Sequence, residues 1–308
     1  MDFDLTYFVH NHQHKGKPYA LALKAAGMNP NMSKPDVALL DRDYVVNHNG
    51  EPRAVFKRYA EKGSVMMLYP HSALPPWWYD GLCPVHPATR CVFVIGEAQK
   101  RAMQFIAPQV RCEVAGWSWC EQKVFTSSGS PKRVLFAPIH PSGNKLREEA
   151  YQANRAIFNE LKGLLKRKVI GQIVIRYIGD LTLQGLGRSN TAVWIRGKAD
   201  GSVREIDDAD VVIAEGTYLH LAVARGKPAI GINQHLPPRT NNDCKEPAHW
   251  EKYSGVLEYP NNYVEACLDE AIECAIIEEQ TEWRKDNIGF QLESKDFARK
   301  VLEVYQEK

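Results

Sequence analysis

The sequence predicts an α/β protein made of two doubly wound domains. Short apolar segments alternate with helical segments, several of which stop at a glycine, and this order is typical of a parallel sheet covered by helices on both faces. The small, polar segment Thr126–Pro131 interrupts the alternation, which then begins again. A chain of 308 residues is long enough to bury two separate cores.

The first half of the chain supplies the elements of the first predicted domain. Its predicted strands are Leu5–His10, Asp36–Leu40, Ser64–Tyr69, Cys91–Ile95 and Arg111–Ala115. Its predicted helices are Pro18–Ala26, Arg53–Glu61 and Glu97–Phe105.

The second half repeats the pattern. Its predicted strands are Arg133–Ala137, Gln172–Tyr177, Ala192–Arg196, Val211–Ala214 and Ala229–Ile232. Its predicted helices are Lys145–Leu165, a short apolar helix before Gly226, Asn262–Glu278 and Ser294–Glu307. We therefore predict two Rossmann-like domains facing a cleft, with residues 1–125 in the first, 126–131 as linker, and 132–308, closing helices included, in the second.

Composition and charge are those of an ordinary globular protein. Lys and Arg total 39 and Asp and Glu total 37, so the net charge of +2 requires no polyanionic partner. The sequence shows no secretory leader pattern and no apolar run long enough to cross a bilayer. Its seven cysteines form no C-x-x-C pair, so we expect reduced core thiols and not a disulfide framework or a zinc site. These features together predict a cytoplasmic protein.

The stretch Asp208–Ile232 is the most informative part of the sequence. An apolar strand runs into Glu215, Gly216 and Thr217, and a short apolar helix follows. The free N–H groups at such a helix start, together with the helix dipole, favour an anion. The corner therefore predicts a site for a phosphorylated ligand, although a plain strand–helix turn with a threonine cap would have the same sequence.

Two other segments could contact phosphate. His140, Ser142 and Gly143 directly follow the strand Arg133–Ala137, and their N–H groups and imidazole could hold a phosphate; the alternative is an ordinary turn. Arg176 and Arg188 lie at the end of the next strand and in the glycine-rich loop after it. A guanidinium can pair with phosphate oxygens through two hydrogen bonds, although many such arginines are surface residues.

The residues resemble the GT-B superfamily, which includes nucleotide-sugar glycosyltransferases, UDP-GlcNAc 2-epimerases and the glycerophosphotransferases of teichoic acid synthesis. Asp210–Pro228 is similar to the family's donor-site pattern of aspartate, apolar strand, glycine turn and helix ending in G-x-P. Three other segments also resemble parts of the family: HKGKPYALALKAAG (His14–Gly27), VAGW (Val114–Trp117) and VLFAPIHPSG (Val134–Gly143). The matches follow the family's order along the chain. Many members carry Glu or Asp in the donor helix where this chain has Leu221.

The resemblance implies a transferase that moves a sugar from a nucleotide diphosphate donor to a hydroxyl acceptor. The second domain would hold the donor through His140, Ser142, Gly143, Arg176, Arg188, Glu215, Gly216 and Thr217. The acceptor could be a saccharide, a lipid-linked molecule or a nucleobase. Without a convincing D-x-D motif, we expect transfer with no metal and no cofactor, the leaving diphosphate being stabilised by the helix dipole and basic side chains.

Histidines near the first strand are candidates for the catalytic base. A neutral imidazole can take the proton of an acceptor hydroxyl, and His14 matches the family's glycine-loop histidine, with His12 as its neighbour. His71, Trp77 and Trp78 are predicted on the acceptor side, where paired tryptophans could stack on a ring. The simpler interpretation is a solvated histidine loop and tryptophans that cover a core edge.

Other functions remain open on the same fold. An epimerase-like or a glycerophosphotransferase-like enzyme would use a related donor site. A non-catalytic nucleotide-binding or nucleic-acid-binding protein is the alternative that Leu221 favours.

Overall fold

A computed structural model describes residues 5–13, 16–41, 52–70, 85–116, 123–124, 133–138, 147–177, 185–197, 203–214, 216–232, 257–258, 284–286, 288 and 294–307. These residues belong to two compact units. Unit 1 comprises Met1–Glu121 and Lys285–Lys308, and unit 2 comprises Gln122–Arg284. The predicted linker 126–131 and the predicted helix 262–278 lie outside the described residues.

Unit 1 is a six-stranded parallel sheet with helices on both faces. Its strands are β1 (Thr6–Val9), β2 (Asn29–Pro30), β3 (Val37–Asp41), β4 (Val65–Tyr69), β5 (Thr89–Val94) and β6 (Arg111–Val114), in the spatial order β2-β1-β3-β4-β5-β6. Its helices are α1 (Lys17–Ala25), α2 (Ala54–Glu61), α3 (Glu97–Ile106) and, from the end of the chain, α7 (Ser294–Gln306).

Alternate residues of these strands feed two cores. One face packs with α1 and α7 around residues such as Tyr7, Leu39 and Phe93. The opposite face packs with α2 and α3 around residues such as Phe8 and Leu40. Both faces are apolar because a parallel strand is buried on both sides, which explains why the sequence reads as continuous apolar runs.

Unit 2 is a second six-stranded parallel sheet. Its strands are β7 (Arg133–Phe136), β8 (Gln172–Tyr177), β9 (Val193–Arg196), β10 (Val211–Ala214), β11 (Ala229–Gly231) and β12 (Leu257–Glu258), in the order β12-β11-β10-β7-β8-β9. Its helices among the described residues are α4 (Arg147–Lys166), α5 (Arg204–Asp207) and α6 (Gly216–Ala224). Helix α4 covers one face of the sheet, where Ile157 and Leu161 pack on Phe136 and Ile175.

The closing helix α7 belongs to a different unit from the one that the sequence predicted. The predicted second domain comprises residues 132–308, whereas α7 belongs to unit 1. Phe297 and Val301 of α7 are buried in the same core as Tyr19 and Leu23 of α1, and the Phe297 and Tyr19 rings lie 5.0 Å apart. The apolar stripe of α7 is thus buried against a helix from the start of the chain.

Candidate functional site

The strand order of unit 2 reverses between β7 and β10. These neighbouring strands pair in parallel, with Val212 opposite Leu135. After β7 the chain continues to β8 on one side of the pair, and after β10 it continues to β11 on the other. In open α/β sheets, ligands bind outside the carboxyl ends of the strands at such a reversal. The loop after β7 leads to the predicted residues His140, Ser142 and Gly143, which lie outside the described residues.

Helix α6 begins at this edge of the sheet. Strand β10 ends at Ala214, and Gly216 is already the first helical residue, with Thr217 the second. Glu215, which lies between them, is outside the described residues. The first-turn N–H groups of a helix have no partner within the helix, so α6 directs amide donors toward the carboxyl edge.

Helix α6 is buried, and most of its residues are apolar. Leu219 and the run from Leu221 to Ala224 are all buried, and the helix packs on β10 and β11. Leu221, where the sequence resemblance would lead one to expect an acidic residue, is 2% exposed. A carboxylate there would be inside the core, so Leu221 is a packing residue in this chain.

Arg176 is the one predicted donor-site arginine that is buried, at 5% exposure. It lies near the end of β8, and its guanidinium carbon is 4.3 Å from the ring centroid of Tyr218 in the first turn of α6. Gly197 contacts the same group: a Cβ added there would lie 2.5 Å from the guanidinium carbon. The Gly197 N–H donates to the Tyr177 carbonyl at 2.7 Å, which fixes this contact. A positive charge therefore lies at the first turn of α6.

Two further buried polar atoms belong to Tyr218 and to Glu205, which interacts electrostatically with Tyr218. Among the described residues, the Tyr218 hydroxyl and Glu205 Oε2 have no hydrogen-bond partner. Burial raises the pKa of Tyr218, with Arg176 opposing and Glu205 adding to the shift. Tyr218 is therefore neutral at physiological pH.

Arg188 lies close to the same strand end. Its side chain is exposed, and Nη2 donates to the Tyr177 hydroxyl at 3.0 Å. Tyr177 is the last residue of β8 and directly follows Arg176. The structure thus brings both predicted arginines to the carboxyl end of one strand.

The carboxyl end of α6 is tied to distant parts of unit 2. Arg225, 6% exposed, donates from Nε and Nη2 to the two carboxylate oxygens of Asp207, at 2.8 and 2.5 Å. Lys123 Nζ lies 3.2 Å from the same carboxylate, and the Lys123 N–H donates to the Ala224 carbonyl at 2.9 Å. Arg284 Nη1 donates to the Lys123 carbonyl at 2.6 Å. Helix α6 is therefore anchored at the end opposite its candidate anion site.

The strand order of unit 1 reverses between β1 and β3. The loop after β1 contains His12, which is exposed, and Asn11, whose φ of 52° is in the left-handed region. Asn11 Nδ2 donates to Oδ2 of the fully buried Asp41 at 3.1 Å, and the Tyr69 hydroxyl donates to the His10 carbonyl at 2.8 Å. These bonds hold the loop that carries His12 at the carboxyl edge of the sheet.

The remaining acceptor-side and catalytic predictions fall elsewhere in the chain. His14, His71, Trp77 and Trp78 lie outside the described residues. Within the described residues, no group of three or more His, Cys, Asp or Glu side chains could hold a metal ion. Cys91 and Cys112, the cysteines in that part of the chain, are buried free thiols.

Three residues, two in unit 2 and one in unit 1, were not predicted from the sequence as parts of a site. Gly197 and Glu205 carried no recognisable signal, because one is a glycine after a strand and the other lies in a four-residue charged helix. Asp41 is the last residue of an apolar strand. A carboxylate at that position in the sequence could have indicated a buried acidic group at a strand reversal.

No protein-family model matches the chain, and no curated protein matches it significantly. In the described part of the chain, none of the helices combines the length and apolar character needed to cross a membrane.

Solved structures are similar in fold. A structure assigned as a UDP-N-acetylglucosamine 2-epimerase from Listeria monocytogenes is 13% identical with a TM-score of 0.50, and the match covers 94% of this chain and 77% of that one. The glycosyltransferase SnogD from Streptomyces nogalater is 11% identical with a TM-score of 0.49, covering 98% and 100%. TarM is 12% identical with a TM-score of 0.47, covering 94% of this chain and 58% of TarM, so this chain spans less than two thirds of that structure.

These findings confirm the predicted fold class. Both units are parallel sheets with helices, and the epimerase structure, at a TM-score of 0.50, is similar to this chain in fold alone. The chain therefore has an α/β fold built from two Rossmann-like units.

Proposed function

We propose that this chain is a glycosyltransferase that moves a sugar from a nucleotide diphosphate donor to a hydroxyl acceptor. The observation that carries the proposal is the carboxyl edge of unit 2. There the start of α6 lies at the strand reversal beside the buried charge of Arg176. Amide donors and a fixed cation in one place suit a diphosphate, which is the part that every such donor shares.

The same groups would stabilise the leaving diphosphate. Negative charge grows on the bridging oxygen as the bond to the sugar breaks, and preorganised donors around it lower the barrier. Arg176 and the first turn of α6 would supply this charge stabilisation. Arg188, which bonds to Tyr177 at the end of the same strand, is proposed to add to it. We therefore propose transfer that needs no metal ion and no cofactor.

The acceptor-side groups are proposed in unit 1. His12 or His14 would take the proton of the acceptor hydroxyl, because the unprotonated nitrogen of a neutral imidazole can act as a general base. His12 is exposed in a loop whose backbone is held by Asp41 and Tyr69. His71, Trp77 and Trp78 are proposed to contact the acceptor, which is a saccharide, a lipid-linked molecule or a nucleobase.

The test is a donor-turnover assay on the wild type with UDP-, CDP-, GDP- and dTDP-sugars, with and without hydroxyl acceptors. The proposal predicts release of nucleoside diphosphate that increases with acceptor. His14→Ala and His12→Ala are assayed beside it, and at least one should reduce turnover by about 100-fold, the scale of general base catalysis, with nucleotide affinity unchanged. Equal turnover in the wild type and both variants would remove the base assignment.

The same assay separates the competing functions. An epimerase-like enzyme would change a UDP-GlcNAc donor without any acceptor, and a glycerophosphotransferase-like enzyme would consume CDP-glycerol. A non-catalytic binding protein would bind nucleotide with no turnover of any donor. Each of these results would replace the proposed transferase.

A further inference from the structure

The guanidinium of Arg176 is held between defined neighbours. The centroid of the Tyr218 ring lies 4.3 Å from the guanidinium carbon of Arg176. The Gly197 backbone lies so close to the guanidinium that a Cβ at position 197 would not fit. An arginine side chain has many rotamers, and fixing one of them before a ligand arrives removes an ordering cost from binding. The structure therefore shows an arginine whose position is set by its neighbours.

We propose that Tyr218 is a positioning residue: its ring holds the Arg176 guanidinium at the first turn of α6, where the charge adds to the amide donors for a diphosphate. This inference rests on the proposed function, because it assigns Tyr218 a part in donor binding without contact to the donor. The face of an aromatic ring attracts a cation most strongly where water is excluded, and Arg176 is 5% exposed.

The ring, and not the hydroxyl, carries this role. The Tyr218 hydroxyl has no hydrogen-bond partner among the described residues, whereas the ring faces the guanidinium. Phenylalanine keeps the ring and should keep the position of Arg176. Leucine removes the ring and should release the guanidinium.

Gly197 offers an independent way to move the same group. A methyl group at this position would lie 2.5 Å from the guanidinium carbon and 2.7 Å from Nη1, so the arginine must shift while Tyr218 stays intact. Gly197→Ala and Tyr218→Leu should therefore have the same functional consequence by different routes.

The experiment measures the affinities of inorganic pyrophosphate, UDP and uridine by calorimetry for the full-length wild type, Tyr218→Phe, Tyr218→Leu, Gly197→Ala and Arg176→Gln. We expect Tyr218→Leu, Gly197→Ala and Arg176→Gln to weaken the binding of pyrophosphate and UDP by about 3- to 30-fold, the range that cation–π contacts span from exposed to desolvated positions. Uridine, which carries no phosphate, should bind all five proteins alike. Tyr218→Phe should remain within about twofold of the wild type.

A double-mutant cycle separates positioning from general damage. If Tyr218 acts through Arg176, adding Tyr218→Leu to Arg176→Gln should weaken pyrophosphate no further. An equal loss in both backgrounds, or a Tyr218→Phe protein as weak as Tyr218→Leu, would overturn the inference. Should Tyr218→Leu fail to fold, the Gly197→Ala and Tyr218→Phe proteins decide the question.

The outcomes also distinguish this inference from the proposed function. An Arg176→Gln protein that binds pyrophosphate and UDP like the wild type, in a chain that transfers sugar, overturns the positioning role and leaves the transferase intact. A wild type that binds neither pyrophosphate nor UDP overturns the positioning role at once. It removes the transferase as well if no nucleotide sugar of the panel turns over.

Discussion

The two units carry different chemistry at equivalent places. In both, the strand order reverses once and the loops at the reversal leave the carboxyl ends of the strands. In unit 1 that edge holds a buried carboxylate, Asp41, bonded to Asn11 beside the exposed His12. In unit 2 it holds the start of α6 and the buried cation Arg176. The shared topology sets where a ligand can bind, and the side chains decide which charge it would carry.

A second difference concerns the helices beside these edges. Gly63 follows the end of helix α2 in unit 1, and a Cβ added there would meet no atom within 4 Å. Gly226 follows the end of α6 in unit 2, and a Cβ added there would meet the Val124 carbonyl. Asp207, Arg225 and Lys123 add an ionic cluster at that end of α6. We therefore expect the two units to respond unequally to matched substitutions, with unit 2 the more sensitive.

The largest effect is expected from Asp207→Ala. This change removes the carboxylate that neutralises the buried Arg225, and such losses cost about 3–5 kcal/mol in the free energy of unfolding. Denaturant unfolding followed by circular dichroism measures the cost. The control is Asp208→Ala, an exposed neighbour 3.9 Å from Arg204, which should change stability by less than about 0.5 kcal/mol. Equal costs for both variants would show that the cluster does not anchor α6.

The next effect compares the two helix-ending glycines. Gly63 has a φ of 77° with nothing within 4 Å of an added Cβ, so Gly63→Ala should cost about 1–2 kcal/mol for the left-handed backbone alone. Gly226 has a φ of 69° and meets the Val124 carbonyl as well, so Gly226→Ala should cost about 1–3 kcal/mol more. Unfolding midpoints of the two variants give the difference. A Gly63→Ala protein as unstable as Gly226→Ala would remove the contrast between the helix ends.

Acid should weaken both units through different carboxylates. The hydrogen bond from Arg225 lowers the pKa of Asp207 against the effect of burial. Burial raises the pKa of Glu113, but hydrogen bonds from Lys300 and Arg111 outweigh it and lower the pKa overall. A lowered folded-state pKa gives stability that is present above the unfolded-state pKa and is lost as pH falls through the folded value.

Unfolding free energies between about pH 6 and pH 3 test this, since unfolded carboxyl groups titrate near pH 4. Asp207→Asn and Glu113→Gln should each flatten the loss of stability on acidification. The corresponding control is Asp208→Asn. A variant whose pH dependence matched the wild type would show that its carboxylate does not contribute.

The smallest effect is a gain. Gly163 lies exposed in α4, and a Cβ added there would meet nothing within 4 Å. Gly163→Ala should stabilise unit 2 by about 0.5–1 kcal/mol, because alanine loses less backbone entropy in a helix. Thermal unfolding measures the gain, and a loss of stability would contradict the open surroundings of Gly163 in α4.

Most of the fold was predictable because buried parallel strands are apolar on both faces. Strands β8 and β10 have the predicted bounds, Gln172–Tyr177 and Val211–Ala214. Strand β2, with only Asn29 and Pro30, and the charged four-residue helix α5 were missed because neither carries an apolar pattern. The partner of α7 was not predictable, since periodicity shows which face of a helix is apolar and not what covers it.

The candidate site was predictable only in outline. Arg176 was found because it lies near the end of a strand, and Gly216 because it stands with Thr217 at the corner between an apolar strand and an apolar helix. The contact of Arg176 with Tyr218 joins residues 42 positions apart (218 − 176), a distance over which local pattern carries no information. The roles of His12, His14 and the other site residues stay predictions.

Hydrogen exchange tests most directly whether the amides that begin α6 bind phosphate. The wild type would be compared with and without the nucleoside diphosphate that raises its melting temperature most among UDP, CDP, GDP and dTDP. We predict slower exchange in residues 216–219 and in 139–146, with no change in α4. Binding that left residues 216–219 unprotected would contradict a diphosphate site at the start of α6.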